Sequence, residues 1–126
     1  MILKINKKIN VIVGKKKISE KVHKIFDQKI INFLDYISQE IFKDKKNFEF
    51  KDLVTFAFWI RKKNILKISL QYNLKNKMLG NGIVFHLSPS NIPMNFGYSL
   101  VFGLLSGNNN ILRLPSKKFI QTEILC

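Results

Sequence analysis

Residues Gly80 to Lys118 read GNGIVFHLSPSNIPMNFGYSLVFGLLSGNNNILRLPSKK, and they differ in character from everything before them. No Asp, Glu, Lys or Arg occurs between Lys77 and Arg113, in a chain that is 24% charged overall. A neutral run of 35 residues in so basic a protein is expected to be mostly buried, because charged side chains are rarely tolerated in a core.

The run has internal order. Ile83-Val84-Phe85-His86-Leu87 is a short apolar segment of strand formers, preceded by Gly82 and followed by Ser88-Pro89-Ser90-Asn91. Met94 to Ser106 has helical length and is apolar on nearly every side, with Gly97, Ser99, Gly103 and Ser106 as small positions that another backbone can approach. Gly107 and the three asparagines after it form a helix stop, since Gly and Asn accept the left-handed conformation. Ile111 to Leu114 reads as a second strand, ended by Pro115. Strand, buried helix, strand is a βαβ unit, so the two strands are expected to be parallel.

That topology has a functional consequence. The C-terminal ends of parallel strands share one edge, which places the Ser88–Pro93 loop and the Arg113–Ser116 segment on the same side. Open α/β sheets bind ligands at that edge. The first loop also leads into a helix N-terminus, where backbone N–H groups favour an anion. The carboxamide of Asn91 is a donor suited to an oxyanion, and the guanidinium of Arg113 is a planar fork suited to ribose or phosphate oxygens. Taken singly, Asn91 reads more readily as a turn residue, and Arg113 reads also as an edge arginine facing water.

Pro89-Ser90-Asn91-Ile92-Pro93, then Leu104-Leu105-Ser106-Gly107-Asn108, then Ile111-Leu112-Arg113-Leu114-Pro115-Ser116 together resemble the aldehyde dehydrogenase superfamily. That superfamily shows Pro-x-Asn-x-Pro, a helix ending in Gly-Asn and a strand ending in Lys-Pro-Ser. The version here, with His86-Leu87-Ser88 ahead of the loop, is similar to the fatty acyl-CoA reductase branch, the LuxC-type enzymes. The resemblance implies an α/β fold: a helical N-terminal segment (residues 1–78), then the first βαβ unit of an aldehyde-dehydrogenase-like nucleotide-binding domain (79–126), incomplete. It implies an NADPH-dependent acyl-thioester reductase producing fatty aldehyde. Its substrate would be acyl-CoA or an acyl-protein thioester, an acyl-protein synthetase would be a partner, and the full-length enzyme would be oligomeric.

Residue by residue, the resemblance assigns Asn91 to the oxyanion hole. It sets the backbone of Ser88, Pro89 and Ser90 beside the nicotinamide-ribose end of the cofactor. It puts Arg113, with Ser116 beyond it, where the family has a Lys contacting the adenosine ribose. Two departures stand out: Arg replaces Lys, and Leu114 separates Arg113 from Pro115-Ser116. Arg113 with Lys117 and Lys118 suits a 2′-phosphate, which favours NADPH, with NADH as the alternative. The family's chemistry also needs a cysteine thiolate to form an acyl-enzyme that hydride reduces. The single cysteine, Cys126, does not match that position. The expectation is the N-terminal part of a reductase, inactive without the nucleophile.

Ahead of this stretch, Met1 to Val13 alternates loosely and predicts one or two strands, with a turn at Asn6-Lys7-Lys8, and Gly14 to Lys17 is a basic loop. Ser19 to Phe42 carries an apolar stripe at helical spacing (Val22, Ile25, Phe26, Ile30, Phe33, Leu34, Ile37, Ile41), with Ser19 as the expected N-cap. Lys43 to Asn47 is a charged loop, Lys51 to Lys62 a second helix, and Ile65 to Tyr72 a third, capped by Asn64. A turn follows over Asn73 to Lys77.

The net charge of +14 points by itself to nucleic acid or another polyanion, and a basic binding module without catalysis is the alternative reading. Against it, Lys, Ile, Asn and Phe make up about half the chain, and these are the residues A/T-rich codons encode. The lysines are spread through every segment, with no interleaving of aromatic and basic residues, so no nucleic-acid partner is expected. His23 is expected on a surface helix and His86 packed and hydrogen-bonded in a strand. Two isolated histidines and one cysteine make no metal site. The apolar helix is about half the length a membrane span requires. A lone thiol suits the reducing cytoplasm.

Overall fold

In the computed structural model, which describes residues 10–15, 17–72 and 78–126, the order of elements is mixed α/β. Helix α1 (Gln28–Lys43) leads through a 3-10 turn (Lys45–Glu49) to α2 (Lys51–Trp59) and α3 (Lys62–Ser69). Strand β1 (Ile83–Leu87), helix α4 (Asn95–Leu105) and strand β2 (Asn109–Arg113) follow, and a short α5 (Ile120–Leu125) closes the chain. The two strands pair in parallel, Ile83 opposite Asn109 and Leu87 opposite Arg113, so the expected strand–helix–strand unit is present.

The helix α4 has nearly its expected bounds, and Gly107 after it is left-handed at φ +75°. β2, however, begins two residues before the expected start and stops before Leu114. Asn109 and Asn110, expected to do no more than stop the helix, are strand residues, because the Asn109 amide donates to the Gly82 carbonyl at 2.9 Å.

The first helix needs a larger correction. It begins at Gln28, not at Ser19, and its N-cap is Asp27, whose carboxylate accepts from the Lys29 amide at 2.8 Å. Residues His23 to Phe26 instead form a non-helical strap, with an antiparallel bridge from Lys24 to Leu79 and a turn at Ile25 and Phe26, whose polar backbone is used elsewhere. The His23 and Phe26 amides donate to the Gly107 and Leu105 carbonyls at the end of α4, and the His23 carbonyl accepts from Gly80. Phe26 itself sits at φ +53°, which ends any helical continuity. His23 is exposed, as expected, but not on a helix. Ser19 accepts from Lys21 in a local turn.

The smaller helices shift for similar reasons. α2 ends at Trp59 and α3 starts at Lys62 with Arg61 as its cap residue. Asn64 lies inside α3 and donates its amide to the Phe58 carbonyl at 2.7 Å, serving the end of α2. The expected charged loop after α1 overlaps the 3-10 turn, in which the buried Asn47 donates to the Ile41 carbonyl at 2.9 Å and so closes the end of α1. Residues 10–13 form no strand. The rest of the expected N-terminal strands and the turn at Asn73–Lys77 lie outside the described residues.

Among the described residues, one apolar core cluster draws on segments either side of position 78. Ile31, Leu34 and Ile41 of α1 meet Leu53, Phe56 and Ala57 of α2, Ile65 of α3, and Met94, Val101 and Leu105 of the α4 segment. Phe56 stands edge-on to Tyr98 with centroids 5.1 Å apart, and Trp59 bridges Tyr98 and Phe102. The buried Ser38 hydroxyl donates to the Ala57 carbonyl at 2.6 Å, so α1 and α2 share a satisfied polar contact. No helix among the described residues is long and apolar enough to cross a membrane.

The two faces of the strand pair are covered unequally: α4 covers one, while on the other β1 is open and Ile111 of β2 is half-buried. α4 lies against the Val84, His86, Asn110 and Leu112 side. It lies so close that a Cβ on Gly103 would come within 1.9 Å of Asn110 Oδ1 and 2.9 Å of His86 Nε2. The opposite face of β1 is open, with Ile83, Phe85 and Leu87 exposed at 45%, 58% and 67%. The expected burial of the neutral run therefore holds for much of α4 and fails for three of the five residues of β1.

Gly103→Ala is expected to destabilise the fold by about 2–3 kcal/mol, as overpacking does. The nearest clash is with a side chain, so adding Asn110→Ala should give a double variant less destabilised than the sum of the two singles. Urea unfolding of the four proteins checks this; strict additivity would show that the two groups do not touch.

Candidate functional site

The last register pair of the sheet, Leu87 and Arg113, defines its C-terminal edge. Both connections that leave this edge carry candidate residues. After β1 come Ser88, Pro89, Ser90 and Asn91, and after β2 come Pro115, Ser116, Lys117 and Lys118. The Ser116 hydroxyl donates to the Ser90 hydroxyl at 3.2 Å, so the two connections meet although they lie far apart in sequence. Asn91 and Arg113 are both exposed at this end of the sheet. Met94 caps α4 with no side-chain hydrogen bond, and its carbonyl accepts from the Gly97 amide at 3.0 Å in the first turn.

The electrostatic character of the edge is positive. Arg113, Lys117 and Lys118 are exposed, and the Lys117 ammonium lies 5.3 Å from the centroid of the Phe119 ring. Ser88 differs from its neighbours in that its Oγ is enclosed yet has no hydrogen-bond partner. α5 is held beside α2 by Gln121, whose amide donates to both Asp52 carboxylate oxygens at 3.2 Å.

At the other end of the sheet, sequence reasoning missed three residues that set the frame. Asn108 Oδ1 accepts from the Asn81 and Gly82 amides at 2.7 and 3.2 Å, which ties the start of β1 to the end of α4. Asn109 donates to the Lys21 carbonyl at 2.9 Å. Asn110 donates to the Asn108 carbonyl, so its oxygen faces His86 Nε2 at 2.8 Å and that nitrogen carries the proton. His86 is thus packed and hydrogen-bonded, as its strand context predicts. The available signal was three consecutive asparagines where a helix stop needs one.

Cys126 is the chain's one thiol, and it is exposed at the end of α5. Partial burial of its sulfur pushes its pKa up, the opposite of what an activated thiolate needs. Among the described residues no three His, Cys, Asp or Glu side chains come together to hold a metal ion.

The chain matches the family described as acyl-CoA reductase (LuxC) over residues 61–125, which takes in α3, the whole strand–helix–strand unit and α5. No curated protein and no solved structure matches it.

Two outcomes follow from this geometry. A Ser90→Cys, Ser116→Cys chain in a Cys126→Ser background should form an intramolecular cross-link on mild oxidation, detected by peptide mass mapping; failure to cross-link would separate the two connections. Cys126 should be alkylated at neutral pH more slowly than a cysteine in an unstructured peptide, with the rate rising only as pH climbs past the usual thiol range. The same upward shift means any stability it confers is present below the unfolded thiol's pKa and is lost as pH rises through the folded one.

Proposed function

This chain belongs to the LuxC acyl-CoA reductase family, and we propose that it supplies the cofactor-facing edge and the oxyanion donor for NADPH-dependent reduction of an acyl thioester to a fatty aldehyde. The observation that supports this reading is the meeting of the Ser88–Pro93 loop with the Arg113–Ser116 segment, linked by the Ser116–Ser90 hydrogen bond. It brings a carboxamide and a guanidinium to one sheet edge, where open α/β folds receive a dinucleotide.

Each side chain then has a task. The Asn91 carboxamide donates to the thioester carbonyl oxygen as negative charge builds on it, a role in which a fixed donor lowers the barrier. The Arg113 fork holds the adenosine-ribose end, and Lys117 and Lys118 add positive charge suited to a 2′-phosphate, which selects NADPH over NADH. The backbone of Ser88, Pro89 and Ser90 runs beside the nicotinamide ribose, and Ser116 steadies Ser90. When bound, the cofactor supplies the hydride. In this reading β1, α4 and β2 are the first unit of an aldehyde-dehydrogenase-like nucleotide-binding domain. The acyl donor is a CoA or protein-bound thioester, the latter delivered by an acyl-protein synthetase. Cys126 is not the nucleophile, and these 126 residues alone are expected to release no aldehyde.

Titration calorimetry of the chain with NADPH and NADH tests the cofactor reading. NADPH should bind more tightly, and Arg113→Ala should weaken it about tenfold, whereas Asn91→Ala should leave binding within about twofold because its amide serves the reacting carbonyl. Assayed together with residues that supply the nucleophile, Asn91→Ala should lower kcat about a hundredfold. No NADPH binding, or none that depends on Arg113, would overturn the proposal.

A further inference from the structure

We infer that the open face of the strand pair docks on the surface of an anionic lipid membrane. Residues paired across a sheet share a face, so Ile83, Phe85 and Leu87 lie beside Asn109, Ile111 and Arg113, on the side away from α4. Ile83, Phe85 and Leu87 are exposed and Ile111 is half-buried, which makes the middle of this face apolar. Exposed apolar side chains scattered singly are ordinary, but several together on one face mark an interaction site.

The ends of the face are basic. Arg113 closes one end, with the exposed Lys117 and Lys118 a few residues beyond it. At the other end Asn109 donates its amide to the Lys21 carbonyl at 2.9 Å, which holds the exposed Lys21 there. The segment leading to Lys21 repeats the combination, with Val11, Ile12 and Val13 exposed and Lys15 and Lys17 after them, against one acid, Glu20. No Asp or Glu lies between Lys77 and Arg113, so neither the strands nor α4 brings negative charge to the face. Codon bias accounts for the number of lysines in the chain; it does not set cations at both ends of an apolar strip.

Size and charge choose the occupant. Two five-residue strands, at about 3.3 Å per residue and about 4.8 Å apart, outline a face on the order of 200 Å². A stable protein partner covers about 800 Å² on each side. A second copy would also bring its own charge of +14 against the same basic ends. A membrane needs no matching surface. The apolar side chains enter the boundary between headgroups and acyl chains, and each nearby cation gains from the anionic headgroups. This inference stands apart from the cofactor reading.

Co-sedimentation of the full chain with vesicles tests it. Phosphatidylcholine vesicles carrying about 30% phosphatidylserine should bind the chain about tenfold more tightly than pure phosphatidylcholine does, and high salt should remove most of that difference. Phe85→Ser should weaken binding to the anionic vesicles about tenfold, Phe85→Leu by less than about twofold, and Lys21→Glu about fivefold. A polarity-sensitive fluorophore on Phe85→Cys, in a Cys126→Ser background, gives a readout that does not depend on lost binding: its emission should shift to the blue with the anionic vesicles. No binding, equal binding to neutral vesicles, binding that ignores Phe85→Ser, or an unshifted fluorophore would overturn the inference. So would dimerisation of the parent that Phe85→Ser abolishes, which would make a second copy the occupant. Single-stranded DNA binding that Phe85→Ser weakens would overturn it too, by making nucleic acid the occupant.

Discussion

The backbone of α4 lies so near its neighbours that at two positions, one along its length and one at its end, a side chain would force a neighbour to move. A Cβ at Gly103 would collide with Asn110 and His86, and one at Gly107 would lie 2.3 Å from the His23 carbonyl oxygen. Gly107 also needs its left-handed conformation to turn the chain from helix into strand. This close approach lets the end of α4 accept hydrogen bonds from the His23–Phe26 strap, which satisfies carbonyls that every helix leaves open. It also fixes how far β2 lies beneath the helix, and so where the Leu87–Arg113 edge falls.

The two ends of the sheet are built differently. At the N-terminal end the carboxamides of Asn108, Asn109 and Asn110 bond to backbone and side-chain partners from two segments, Lys21 and the stretch from Asn81 to His86. At the C-terminal end one hydroxyl pair links the connections, one hydroxyl has no partner, and Asn91 and Arg113 face solvent. Polar groups that the fold does not use are groups a ligand can use. Setting them on strand ends held from the opposite side gives them a rigid base, which binding geometry requires.

The absence of charge between Lys77 and Arg113 is a weaker guide to burial than it first suggests. Most of α4 is enclosed by α1, α2 and the strand pair, but Ile83, Phe85 and Leu87 point away from all of them. Parallel strands normally have both faces covered, and two strands by themselves are marginal. The open face of β1 therefore has the composition of a covered strand in a setting that covers one side.

By itself the sequence determined the strand–helix–strand unit, the parallel pairing and the family, because these rest on local pattern: strand formers between Gly82 and Ser88, a continuous apolar helix, and Gly107 to end it. It also brought Asn91 and Arg113 to one edge, since parallel strands leave no other arrangement. Only the tertiary structure decided what could not be local. The apolar residues Ile25 and Phe26 fit a helical spacing, yet they belong to a strap, because the free carbonyls at the end of α4 and the positive φ of Phe26 outweigh a helix that would serve nothing nearby. Periodicity reports which side of a segment is apolar; it cannot report that a distant helix end needs that segment's amides. The three asparagines and the partnerless Ser88 were hidden for the same reason, since a hydrogen bond made or withheld across the fold leaves no trace in the spacing of residues along it.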